Sequence, residues 1–133
     1  MEMEISFPGQ KRVDAEYRGF TIKTDQSVKN GGNASAPEPF ALFLASLGTC
    51  AGIYVLSFCR QRKIPTDRIR LIQKMEDSSD GKMVAKITID IKLPSDFPVK
   101  YKNAVISAAK LCAVKKHMEN PPDFSIITSI DSE

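Results

Sequence analysis

Two cysteines, Cys50 and Cys112, are the side chains in this 133-residue sequence best suited to covalent chemistry. A thiol reacts as its thiolate, and a neighbouring cation is the usual means of lowering its pKa. Cys112 has cations close in sequence, with Lys115 and Lys116 one helical turn on and His117 beside them. Cys50 has no charged residue within nine positions on either side, so its activation would come from a distant segment. Arg18 and Arg12 are the candidates. On composition alone both thiols are better explained as small buried hydrophobes. Cys59 follows Cys50 by nine residues, which at about 100° per residue sets it on the opposite face of a helix, as a packing residue.

Other chemistries find less support. Three Cys and one His are numerous enough for a tetrahedral zinc site, but structural sites bring their ligands in close pairs and only Cys112 and His117 are near one another. No metal is expected, and His117 reads as a solvated residue near a helix end. Asn30-Gly31-Gly32-Asn33 lacks the spacing of a phosphate-binding loop, and with one histidine a protease-type Cys-His pair is weak. No cofactor is expected.

The elements that must position the thiols follow from periodicity. Residues 1–25 alternate in short runs, with Ile5 and Phe7, then Val13, Ala15 and Tyr17, then Phe20 and Ile22, punctuated by Pro8-Gly9 and Arg18-Gly19. This is the pattern of a three-stranded meander. Residues 26–39 lose periodicity and read as a loop. From Phe40 to Cys59 there is no charge, and Arg60, Arg62 and Lys63 then supply cations suited to a helix C-terminus. A helix over 40–62, apolar on every side, is expected to be buried. Ala41, Ala45, Gly48 and Gly52 line one of its faces with small residues; Phe43, Leu47, Cys50 and Tyr54 form a second stripe. Residues 67–93 read as a hairpin, with Ile87, Ile89, Ile91 and Leu93 on one side of its second strand. A second helix is expected over 99–118 and a final strand over 123–131. The order gives an α+β fold in one domain, an antiparallel sheet packed on two helices.

Composition narrows the partners. The net charge of +3 comes from 19 basic and 16 acidic residues interspersed along the chain, and aromatic residues make up 8% with no Trp. A nucleic-acid surface would need clustered cations or stacking platforms, so no nucleic-acid partner is expected. The acidic start, the odd cysteine count and the lack of a CxxC pair point to free thiols in the cytoplasm. Residues 40–59 are long enough to span a bilayer and include a GxxxG match. The alternating strands after Thr66 need an apolar cover, however, and this helix is the largest surface that could provide one, so no membrane partner is expected.

Pro39-Phe40-Ala41-Leu42-Phe43-Leu44-Ala45-Ser46-Leu47-Gly48-Thr49-Cys50 resembles the first-cysteine helix of the OsmC/Ohr family. Ser107-Ala108-Ala109-Lys110-Leu111-Cys112-Ala113-Val114 is similar to that family's second-cysteine helix, and the order of elements agrees along nearly the whole chain. The resemblance implies an intertwined homodimer with the longer helix buried at its centre. It also implies reduction of organic hydroperoxides, with Cys50 attacking the peroxide, Cys112 resolving the sulfenic acid as a disulfide, and an external dithiol restoring both. Arg18 best matches the family's thiolate-supporting arginine. The sequence departs from the peroxidase branch at Phe40 and Ala41, where that branch has a glutamate, and at Ala113, where it has a proline. The other reading is a non-catalytic dimeric module of the same fold that binds a small apolar ligand.

Overall fold

Alternation in the first 24 residues produces three antiparallel strands: β1 (Glu4–Gly9), β2 (Arg12–Tyr17) and β3 (Phe20–Thr24), in the order β1-β2-β3. Tight turns join them, and Gln10 and Arg18 adopt positive φ there, with Gly19 following at +84°. The computed structural model describes residues 1–131, which divide into two compact units, Met1–Ser46 and Leu47 onward.

The meander is followed, within the first unit, by a loop built around one carboxylate. Asp25 is 1% exposed and accepts hydrogen bonds from the Ser35 hydroxyl, the Ser35 N–H and the Gln26 N–H, which hold its pKa down to about 2. Gly32 packs so closely on this loop that a Cβ there would sit 2.2 Å from the Gln26 carbonyl oxygen, and only glycine fits. The loop ends where Glu38 accepts from the Ser27 N–H at 3.1 Å and the chain enters α1 (Pro39–Gln61). Proline suits that first turn because its missing N–H would have had no helical partner.

The second unit holds most of α1, the hairpin of β4 (Arg70–Asp77) and β5 (Val84–Lys92), and two short helices, α2 (Lys102–Ala109) and α3 (Ala113–Glu119). β4 and β5 pair antiparallel from Arg70↔Lys92 to Asp77↔Val84. Its core joins Val55, Phe58 and Cys59 of α1 to Phe97 and to Val105 of α2, with Ile69, Ile91 and Leu93 packed against them. Each buried Val or Phe there contributes roughly 1.5–3 kcal/mol.

Two sequence expectations are corrected. The helix expected over 99–118 is a 3-10 turn (Val99–Tyr101) followed by α2 and α3, interrupted at residues 110–112. Cys112 there leaves the helical region at φ −45°, ψ 120° and becomes the N-cap of α3, its sulfur accepting from the Lys115 N–H. Cysteine is not among the usual N-cap residues, so periodicity alone carried the helix through the break. The strand expected over 123–131 is absent, since residues 121–131 have no regular secondary structure and Phe124, Ile126, Ile127 and Ile130 are exposed. Pro121 and Pro122 lack N–H donors, and no strand among the described residues offers this segment a ladder. Within the single chain α1 is buried along one face, at Leu47, Ala51, Val55, Phe58 and Cys59. Ile53 is 53% exposed, because a single chain supplies cover for one side. α1 is also long and apolar enough to cross a membrane by length and composition.

Candidate functional site

The interruption between α2 and α3 creates the site. In a continuous helix the N–H groups of Ala113 and Val114 would be taken by carbonyls one turn back. At the start of α3 they have no helical carbonyl to pair with, and they are the backbone donors that act on the Cys50 thiol. The Cys50 thiol is thereby held below the ordinary thiol range. The largest cause is the Val114 backbone N–H; burial acts against it, and the Cys112 side chain and the Ala113 N–H add to it. A sulfur receiving hydrogen bonds is stabilised as the anion, since the donors complement charge that the neutral thiol lacks.

Cys112 is the bridge in this arrangement. It is 3% exposed, its Sγ lies 3.9 Å from the Leu47 carbonyl oxygen of α1, and it accepts from the Lys115 N–H at 3.4 Å. One residue thus caps α3, packs on α1 and helps to lower the Cys50 thiol. Cys50, Cys59 and Cys112 are all free thiols.

The cations expected near Cys112 have partners of their own. The Lys115 ammonium pairs with Glu119 at 3.3 Å, and the His117 ring nitrogen Nδ1 lies 2.7 Å from the Ala113 carbonyl within its own helix. Arg18 lies in the first unit, at the β2–β3 turn with φ +49°, its guanidinium 5.0 Å from the centre of the Tyr17 ring. Arg12, in β2, reaches the Pro8 carbonyl at 3.4 Å. Glu38, the acid nearest the start of α1, is engaged by the Ser27 N–H. The donors that sequence reading missed, Ala113 and Val114, are backbone groups that no side-chain pattern marks. The signal available was a cysteine able to cap a helix.

Cys59 contrasts with this pair. It has no exposed surface and sits in the apolar core, where burial pushes its thiol up and the nearby Arg62 only partly offsets the shift. The Arg62 guanidinium is occupied over the Phe58 ring at 3.7 Å, and it donates to the Phe58 carbonyl at 3.0 Å.

A cleft of about 450 Å³ opens beside Cys112. Its walls are Ile87, Ile89 and Ile91 of β5, Leu47 and Ala51 of α1, and Met118 of α3, with Lys110 and Lys115 also lining it. The size and apolar lining are those of a small-molecule site. Among the described residues, no group of three or more His, Cys, Asp or Glu side chains is gathered to hold a metal ion.

Comparisons with known proteins agree with this architecture. The family described as OsmC-like protein matches residues 31–127, well over half the chain. An osmotic stress induced and detoxification response protein of Psychrobacter arcticus superposes with a TM-score of 0.71 at 22% identity, over 86% of this chain and 85% of that one. The OsmC-like protein of Mycoplasma pneumoniae gives 0.69 at 15% identity, over 90% and 87%. An organic hydroperoxide resistance protein of Legionella pneumophila gives 0.55 at 12% identity, over 88% and 87%. At these identities the likeness is one of fold. No curated protein sequence matches the chain significantly.

Proposed function

Because the chain belongs to the family of OsmC-like proteins, we propose that it is a thiol-dependent reductase of organic hydroperoxides, with Cys50 as the attacking thiol and Cys112 as its resolving partner. The observation that carries the reading is Cys112 packed on α1 at the Leu47 carbonyl, less than one turn before Cys50, together with a Cys50 thiol held below the ordinary range by the Val114 and Ala113 N–H groups and the Cys112 side chain. Some of the structural neighbours are named for organic hydroperoxide resistance, which points the same way.

The Cys50 thiolate attacks the terminal oxygen of R–O–O–H. An S–O bond forms, the O–O bond breaks, and the alkoxide leaves, taking a proton from solvent to become the alcohol. Cys50 is then a sulfenic acid. The Cys112 sulfur attacks the Cys50 sulfur and gives up its proton; the hydroxyl departs as water and a disulfide joins α1 to the start of α3. An external dithiol, available in the cytoplasm, reduces this bond and is itself oxidised to a disulfide. In this reading Arg18 supports the thiolate, and a second copy covers the exposed apolar face of α1 and the apolar segment after Pro122 in a homodimer.

Replacement of Cys50 by Ser tests the mechanism. With a dithiol present, hydroperoxide consumption falls by orders of magnitude in Cys50→Ser while the fold is retained; unchanged consumption contradicts the reading. One observation favours a second reading, a non-catalytic module that binds a small apolar ligand: the cleft opens on Cys112, and Cys50 is not among its walls. That reading expects ligand retention in a variant lacking both thiols.

A further inference from the structure

The cleft beside Cys112 is not uniformly apolar. Two cations, Lys110 and Lys115, line it together with the isoleucines of β5, and no acidic residue does. Among the described residues Lys110 forms no ion pair. Lys115 is paired with Glu119, but both side chains of that pair are more than half exposed, at 54% and 59%. An exposed pair of this kind is worth about 0–1 kcal/mol, so an incoming anion can replace Glu119 at little cost. A purely hydrocarbon ligand would fill the cleft and leave Lys110 without an ion-pair partner and Lys115 with only its exposed pair to Glu119. A ligand with an apolar chain and one anionic head would satisfy the isoleucine wall and the lysines together.

We infer that the cleft binds a single-chain carboxylate, its hydrocarbon laid along Ile87, Ile89 and Ile91 and its head group held by Lys110 and Lys115. The inference rests on the cleft being the ligand-binding part of the proposed site, and it names the class of molecule admitted there. Carboxylate suits two flexible ammonium groups because each oxygen accepts one charge-assisted hydrogen bond. It follows that a substrate or ligand carrying a free acid is preferred over its ester or alcohol. Lys110 and Lys115 are then specificity residues, and the thiols are not required for binding.

The test uses the reduced full chain and no peroxide, so its outcome is independent of turnover at Cys50. Decanoate, 1-decanol and decylammonium are titrated by calorimetry against the wild type and against a Lys110→Gln/Lys115→Gln double variant. Both lysines are on the surface, and cooperative thermal unfolding verifies that the variant is folded. The expected result is saturable decanoate binding that exceeds that of 1-decanol by about tenfold, equivalent to about 1.4 kcal/mol. Added salt weakens the decanoate preference, and the double variant abolishes it without changing the binding of 1-decanol. Equal binding of acid and alcohol, equal binding of decylammonium, an unaltered double variant, or no binding of any of the three overturns the inference. If Cys50→Ser still consumes hydroperoxide but decanoate binds as described, the peroxidase reading fails and this one stands.

Discussion

One helix carries two cysteines under opposite conditions. Cys50 lies in α1 beside the start of α3, partly exposed, with backbone N–H groups aimed at its sulfur. Cys59 lies nine residues further along α1, enclosed by Val55, Phe58, Phe97 and Val105 with no exposed surface. The first thiol is pulled below the ordinary range by donors, and the second is pushed above it by burial. An apolar setting by itself makes a cysteine inert; what separates these two is an interruption in a neighbouring helix that releases N–H groups. Hydrogen-bond donors at a helix start can therefore do what a borrowed cation was expected to do.

The sharpest break of this comparison would come from alkylation. With iodoacetamide on the native protein, Cys50 is expected to react well ahead of Cys59, which waits for opening of the core. Modification of both at similar rates, followed by mass spectrometry of the peptides, would show that the core around Cys59 is open. A smaller effect isolates the backbone donor. Val114→Pro removes the N–H that contributes most to Cys50 while leaving proline in the first turn of α3, where it is tolerated. The pH midpoint of Cys50 alkylation is expected to move upward in this variant, and an unmoved midpoint would assign the activation elsewhere.

The smallest effect concerns stability in alkali. Cys59 has a folded pKa raised above its unfolded value, so its contribution is fully present below the unfolded thiol pKa and is lost as pH rises through the folded one. Cys50 has the opposite sign: its contribution is present above the unfolded pKa and is lost as pH falls through its lowered folded value. Cys59→Ala is therefore expected to cost about 1 kcal/mol near neutrality through lost packing and to flatten the decline in urea midpoint as pH is raised into the thiol range. A decline as steep as in the wild type would show that Cys59 does not ionise differently on unfolding.

Much of the scaffold was readable from residue pattern. The meander, the loop after it, the long helix and the β4–β5 hairpin each have a strong period or a clear stop signal, such as Pro39 opening α1 and Ser78 to Gly81 turning the hairpin. The break at residues 110–112 was not readable, because neither Gly nor Pro marks it and a thiol does the capping. The tail beyond Pro122 was misread for a different reason. Its apolar residues have strand character, but a strand needs a paired edge, which is a property of tertiary structure. As for the site, residue type and spacing marked Cys50 and Cys112 as candidates, and only the family resemblance paired them, since contact between residues so far apart in sequence depends on packing. Sequence adjacency also does not say which way a side chain turns: Lys115 pairs with Glu119 and His117 folds back on its own helix.

Peptide mapping after one equivalent of an organic hydroperoxide, with no reductant present, tests the central claim most directly. A single disulfide between Cys50 and Cys112 with Cys59 recovered as a free thiol is the predicted result. Three free thiols, or a disulfide that includes Cys59, would contradict it.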